Sequence, residues 1–264
     1  MSVAVPTIEP PKRPGSNIIG SFIDAGAWDR FLSVILAWAK DGQSRVVCVC
    51  NVHSIVTAKN DPALRTAIDD ADLATPDGMP LVWLLRQRGF FDQERINGPE
   101  LMWRFLSVAE TQGIRVFFYG STVDTLQRLC SNLLAAFSNL QIVGSYSPPF
   151  RALTDKEKNE EVERINACGA QVVFVGLGCP KQEAWMYRNR GRINAVMIGV
   201  GAAFDFHAGT VKRAPVWIQN NGLEWLFRLM QEPNRLFFRY ATTNSIFICN
   251  ILLEKLCRCL KIMR

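Results

Sequence analysis

The sequence predicts an α/β protein with a mainly parallel sheet flanked by helices, followed by a helical and basic C-terminal appendage. Three observations predict this class. Short apolar runs typical of strands alternate with helix-like stretches between residues 45 and 200. Two of those apolar runs end in glycine turns, as buried parallel strands do beside a ligand. Beyond Pro215, apolar residues recur at helical spacing instead.

The elements follow in order along the chain. Residues 1–16 contain four prolines and predict a flexible arm, while residues 17–211 form the α/β domain and residues 212–264 the appendage. Strands are expected at Arg45–Cys50, Arg115–Tyr119, Gln141–Val143, Gln171–Val175 and Ala195–Val200. Helical stretches are expected within Val52–Ala74, from Leu81, from Ser121 to about Ala136, and over Thr154–Ala167, which opens with a capping box. This alternation is typical of a Rossmann-like sheet.

Two segments are expected to depart from regular structure. Thr75–Pro80 is expected to be a loop, because two prolines and a glycine disfavour helix and strand alike. In the appendage, Pro233 should interrupt the helical pattern, separating a first apolar stretch (Leu223–Met230) from a second near Arg235 and a third from Phe247.

The excess of positive charge lies entirely in the appendage. Residues 212–264 hold nine Lys/Arg and three Asp/Glu, which accounts for the whole net charge of +6. Basic, aromatic and apolar residues together predict a surface that meets an anionic membrane. Nucleic acid is disfavoured as a partner because no recognition motif accompanies the charge. No apolar run approaches the roughly 18–20 residues of a membrane-spanning helix, and the first 30 residues hold no apolar leader segment.

Cofactor chemistry finds little support in the sequence. His53 and His207 are the two histidines, and no ligand motif converges on them, so no metal is expected. The eight cysteines lack C-x-x-C spacing and are expected to be reduced. The Gly199-x-Gly201-x-x-Phe204 run lacks the third glycine of a dinucleotide fingerprint, so no nicotinamide cofactor is expected.

The two glycine-ended strands carry the first candidate site. They lie about 25 residues apart, so they should be neighbours in one sheet with a shared crevice beyond them. Ligand contacts are then expected from the turns and from the polar residues that follow: Gly176, Gly178, Lys181, Gln182, Gly201 and Asp205. A solvated first helical turn at Lys181–Glu183, and a capping role for Asp205, remain alternatives.

Three further groups are candidates. Asp77 lies in a Pro-Asp-Gly turn, where a carboxylate can act as general base or simply cap its own backbone. Asn51 ends a strand and could bind a sugar or nucleotide, or form a turn. The appendage also places arginines among aromatic residues, where they could bind a diphosphate or form a solvated face: Arg228, Arg235 and Arg239.

Several ordered motifs resemble one family. They are Val175-Gly-Leu-Gly-Cys-Pro-Lys-Gln-Glu183, Gly199-Val-Gly-Ala-Ala-Phe-Asp205, Arg213-Ala-Pro215, Gly222-Leu-Glu-Trp-Leu-Phe-Arg228 with Glu232-Pro233, Pro76-Asp77-Gly78 and Arg95-Ile-Asn-Gly98. Over residues 51–240 the chain resembles the TagA/WecG/CpsF family of bacterial glycosyltransferases.

The resemblance implies a reaction. Such enzymes move a sugar from a UDP-sugar to a sugar on a polyprenyl diphosphate, at the cytoplasmic membrane face, with inversion and without a metal. The product is a precursor of exopolysaccharide, capsule, common antigen or teichoic acid. Residues 17–211 would be the catalytic domain and residues 212–264 the membrane-associating appendage.

Roles for individual residues also follow from the resemblance. Asp77 would be the catalytic base. Gln182 and Asp205 would join the glycine turns in the nucleotide-sugar pocket, and Asn51 and Arg95 would bind substrate. The three appendage arginines would meet the lipid diphosphate.

One position departs from the family pattern. Many members have a threonine two residues before the asparagine that matches Asn51, whereas this chain has Val49. The donor and acceptor sugars are therefore left open. A non-catalytic subunit that binds a nucleotide-sugar or a lipid-linked sugar also remains an alternative, as does homo-oligomerisation through the apolar tail.

Overall fold

The computed structural model describes residues 13–262, so residues 1–12 of the expected arm lie outside the described part of the chain. An antiparallel hairpin comes first, β1 (Gly15–Ile18) and β2 (Ser21–Asp24). The main sheet has six strands within this range: β3 (Arg45–Cys50), β4 (Leu73–Pro76), β5 (Arg115–Gly120), β6 (Gln141–Tyr146), β7 (Val172–Gly176) and β8 (Val196–Gly199).

The sheet is parallel throughout, in the order β4-β3-β8-β7-β5-β6. The predicted α/β fold is therefore confirmed. The two glycine-ended strands, β7 and β8, are neighbours as predicted, with Val175 opposite Gly199. Their carboxyl ends consequently open at the same edge of the sheet.

Helices cover both faces of this sheet. They are α1 (Trp28–Lys40), α2 (Val52–Asn60), α3 (Pro62–Asp69), α4 (Met79–Gln87), α5 (Gly98–Gln112), α6 (Val123–Ala136), α7 (Asp155–Ala167), α8 (Lys181–Asn189) and α9 (Ala203–His207). Alternate residues of β3 enter opposite cores. Cys48 packs with α2, α3 and α8 on one face, and Val47 with α1, α5 and α6 on the other. A strand buried on both faces explains its continuous apolar sequence.

The expected loop at Thr75–Pro80 is wrong at both ends, because β4 extends to Pro76 and α4 begins at Met79. Proline lacks a donor N–H, which excludes it from central strands but not from an edge. β4 is an edge strand of the sheet, and Pro76 lies opposite Cys50 of β3. The Pro-Asp-Gly turn therefore begins directly at the carboxyl end of a strand.

Other elements differ from the sequence expectation in extent. The helical stretch expected within Val52–Ala74 divides into α2 and α3, since Asp61 caps the second helix and Pro62 begins it. Helices α1 and α5 fall in segments that the sequence analysis left unassigned. Each buries a stripe of apolar side chains, such as Phe31 and Ile35 in α1. The capping box at Thr154 is present as predicted.

The appendage consists of α10 (Val216–Asn220), α11 (Glu224–Gln231) and α12 (Pro233–Ile262). Pro233 does end the first helical stretch, but it also begins the next, where its missing N–H needs no partner. The second and third expected stretches are one continuous helix. α12 packs against α2, and Leu236 and Phe247 are buried.

One segment bears on the expectation that no apolar run approaches the length of a membrane-spanning helix. Within the described residues, Pro233–Glu254 is long and apolar enough to cross a membrane, with 22 residues and a mean hydropathy of 1.3. Its polar positions are mostly Thr, Ser and Asn, and they divide the apolar residues into short runs. Length and composition alone are weak grounds for assigning a span, and a share of this helix is buried against the α/β domain.

Candidate active site

A cavity of about 740 Å³ lies at the carboxyl ends of β3, β4, β7 and β8. Each strand contributes the residues that directly follow it: Asn51 after β3, Asp77 after β4, and the two glycine turns after β7 and β8. The first turns of α2, α5, α8 and α9 also line it, and α4, α11 and α12 form its outer walls. This is the position at which open parallel sheets bind their ligands.

Most of the predicted site residues line this one cavity. They are Asn51, Asp77, Arg95, Gly176, Gly178, Gln182, Gly201, Asp205, Arg228, Arg235 and Arg239. Lys181 is the exception, because its side chain is exposed and does not border the cavity. Asp72, which directly precedes β4, lies at the opposite end of the sheet, where it pairs with Arg45 and Arg190.

Asp77 shares one arginine with a second carboxylate. Arg95 Nη2 donates to Asp77 Oδ1 at 3.1 Å and to Glu224 Oε2 at 2.7 Å, and Arg95 Nε donates to the Asp77 carbonyl. Burial raises the pKa of Asp77; Arg95 opposes this shift, and the negative charge of Glu224 adds to it. The environment thus makes Asp77 a stronger base than an exposed aspartate.

Glu224 joins the appendage to the α/β domain. It is buried at the start of α11 and lies between two arginines, Arg95 and Arg213, with Arg213 Nε 3.9 Å from Glu224 Oε1. Arg213 also donates to Asn97, the residue that caps α5. Neither Glu224 nor Arg213 was predicted as a site residue. Both residues occur in motifs that resemble the family, Arg213-Ala-Pro215 and the run from Gly222 to Arg228, and this occurrence could have identified them as site residues.

The glycine turns adopt backbone conformations that favour glycine. Gly178 has φ +75° and Gly201 φ +55°. Gln182 lies against the second turn, 4% exposed, and its Nε2 donates to Glu183 Oε1 at 3.0 Å. Among the described residues, Gln182 Oε1 has no hydrogen-bond partner. A buried amide oxygen without a partner is suited to accept a hydrogen bond from a ligand.

Two of the three predicted appendage arginines provide positive charge that carboxylates do not neutralise. Neither Arg228 nor Arg239 forms an ion pair within the described part of the chain, whereas Arg235 pairs with Glu232. Burial raises the pKa of Asp205, and Arg228 and Arg235 oppose that rise. Guanidinium groups in a cavity without carboxylate partners are suited to bind phosphate oxygens.

Three residues at the end of β3 and the start of α2 also border the cavity. Asn51 caps α2, accepting a hydrogen bond from the Ser54 N–H at 3.1 Å, and it also lines the cavity. The position of Asn51 is therefore compatible with both expected roles, binding a ligand and forming the turn after the strand. His53, considered in the sequence only as a metal ligand, also lines the cavity; burial and the charge of Arg239 lower its pKa to about 4. Val49 also borders the cavity.

These features define a class. A parallel sheet with a crevice at its carboxyl ends, holding a partly buried carboxylate and unpaired arginines, is typical of proteins that bind phosphorylated ligands. The chain belongs to the glycosyl transferase WecG/TagA/CpsF family, whose model matches residues 16–259. It is therefore a glycosyltransferase of cell-surface polysaccharide synthesis, and the predictions of this family and of a hexosyltransferase are confirmed. The family implies a nucleotide-sugar donor and a lipid-linked acceptor.

Proposed function

We propose that the protein is an inverting, metal-independent hexosyltransferase that uses a UDP-sugar. Its acceptor is a sugar carried on a polyprenyl diphosphate, and it works as a peripheral protein on the cytoplasmic face of the bacterial plasma membrane. The observation that carries this proposal is the single cavity that combines Asp77 with two unpaired arginines, Arg228 and Arg239. One base and two sites for diphosphate oxygens are what this transfer requires.

The proposed step is a single displacement. The Asp77 carboxylate removes the proton from an acceptor hydroxyl, and the hydroxyl oxygen forms a bond to the anomeric carbon. The bond between that carbon and the β-phosphate oxygen breaks, and UDP leaves with the electron pair. Because attack comes from the face opposite UDP, the configuration inverts. Asp77 then gives its proton to solvent.

The leaving diphosphate gains negative charge during this step. Backbone N–H groups of the glycine turns would stabilise that charge without a metal ion, while the appendage arginines would hold the diphosphate of the acceptor. Gln182 Oε1 would accept a hydrogen bond from a hydroxyl or an N–H of the donor. Asp205 would contact a sugar hydroxyl in the same way.

The appendage would bring the enzyme to its lipid substrate. α11 and α12 expose large apolar side chains such as Trp225, Met230 and Phe238 beside basic residues. This combination favours an anionic membrane surface. Since Glu224 joins the appendage to Arg95, membrane binding and completion of the site would occur together.

A screen of UDP-sugars against lipid-diphosphate monosaccharides tests the proposal. We expect UDP release that requires both substrates, and a product whose new linkage has the opposite anomeric configuration, read by NMR. Donor binding without acceptor-dependent UDP release would instead indicate a binding subunit. Retained configuration would contradict the single displacement.

A further inference from the structure

One side of α12 changes from basic to apolar along the cavity. The residues of this helix that border the cavity recur every three or four positions, so they form one stripe. The stripe reads Arg235, Arg239, Tyr240, Asn244, Phe247, Ile248, Ile251 and Leu252. From Arg239 to Leu252 it runs about 20 Å, at the rise of an α-helix.

The apolar half of the stripe faces an apolar wall from α4. The cavity-lining residues of that wall are Met79, Pro80, Trp83, Leu84 and Gln87. The side chains of Trp83, Ile248 and Leu252 are 47%, 57% and 55% exposed, although all three are apolar. We call the space between Trp83, Leu84, Ile248, Ile251 and Leu252 the apolar slot.

The polar part of the cavity is a poor place for hydrocarbon. Asp77, Gln182 and Asp205 lie there, and covering them with an apolar chain would remove their water without replacing its hydrogen bonds. The apolar slot has no such cost, and it continues from the unpaired arginines along the same helix.

We propose that the apolar slot binds the first isoprene units of the lipid-linked acceptor. This inference rests on the proposed function and extends it from the diphosphate to the chain beyond. With its diphosphate at Arg228 and Arg239, the acceptor directs its sugar toward Asp77 and its chain along α12. The enzyme therefore recognises the isoprenoid itself, apart from any contact between the appendage and a bilayer.

Two neighbouring leucines separate slot binding from membrane binding. Leu252 lines the slot and is 55% exposed, whereas Leu253 is 59% exposed and does not border the cavity. Leu252→Gln and Leu253→Gln thus remove similar apolar surface from the same helix. Adsorption to a membrane would respond to both changes alike, whereas slot binding responds to the first.

The test uses two water-soluble acceptors without vesicles or detergent. They carry the same sugar diphosphate, one on a three-isoprene chain and the other on an ethyl group. For the isoprenyl acceptor, Leu252→Gln should raise KM about tenfold, the effect expected when one buried leucine contact is lost. KM for the ethyl acceptor should not change, and Leu253→Gln should leave both values unchanged.

Several results would overturn the inference. They are equal effects of the two substitutions, an unchanged KM for the isoprenyl acceptor in Leu252→Gln, or equal wild-type KM for both acceptors. Unchanged kcat with the ethyl acceptor confirms that the variant is folded. If the wild-type enzyme transfers sugar to neither acceptor, the proposed function fails together with the slot; transfer to both with equal KM removes the slot alone.

Discussion

Glu224→Gln should weaken the enzyme through the arginine that Glu224 shares with Asp77. The substitution keeps the size of the side chain and one hydrogen-bond acceptor for Arg95, but it removes the negative charge. Arg95 is then paired with Asp77 alone. The pKa of Asp77 should fall, because the Glu224 charge raises it in the wild-type protein.

The size of the effect follows from the geometry. The Arg95–Glu224 contact is 2.7 Å long, and the two side chains are 19% and 11% exposed. A hydrogen bond to a charged partner contributes about 1.5–3 kcal/mol and one to a neutral partner about 0.5–1.5 kcal/mol, so the substitution should lose about 1–1.5 kcal/mol. Because both side chains keep some exposure to solvent, the loss should lie toward the lower end of this energy range. kcat/KM should therefore fall on the order of tenfold.

The assay is the initial rate of acceptor-dependent UDP release as a function of pH. Activity requires ionised Asp77, so the rate falls as pH drops through its pKa. In Glu224→Gln this acid limb should move to lower pH, and the plateau rate should fall because the base is weaker.

Arg213→Gln is the matched control for this experiment. It loosens the other side of Glu224 without removing a negative charge, so it should not move the acid limb to lower pH. An acid limb in Glu224→Gln that is unchanged, or that moves to higher pH, would refute the reasoning.

Two further substitutions test the hydrogen bonding and packing of the strands that carry the site. Tyr119→Phe removes the 2.8 Å hydrogen bond from the buried Tyr119 hydroxyl to Glu161; the free energy of unfolding in urea should fall by about 1–3 kcal/mol, and an unchanged value would contradict the buried pair. Gly176→Ala places a Cβ 2.6 Å from the Phe204 ring. It should lower the free energy of unfolding by about 1–3 kcal/mol through overpacking and raise KM for the donor, whereas wild-type stability would contradict the close approach.

Strands could be predicted where burial on both faces gives a continuous apolar run. β3 has the predicted bounds for this reason, and β7 and β8 lie within a residue or so of theirs. β4 was missed because Pro76 indicates a loop unless the strand is known to lie at an edge. Which strand lies at an edge depends on the order of the whole sheet, and that is not a local property of the sequence.

The site residues, like the strands, could be predicted only in part. Residues that follow glycine-ended strands could be predicted to meet, because parallel strands share one edge. The sequence could not distinguish Lys181 from Gln182, since adjacent helical residues point about 100° apart and only the packing of α8 decides which faces the cavity. Glu224 was missed as a partner of Arg95 because 129 residues separate them.

The most direct test of the central claim is the single-turnover rate of sugar transfer by Asp77→Asn with both substrates saturating. If Asp77 is the general base, transfer should slow by about 10²- to 10⁴-fold. The dissociation constant of the UDP-sugar should stay near the wild-type value, because the amide keeps the shape of the site. Transfer by Asp77→Asn at a rate near that of the wild-type enzyme would contradict the claim.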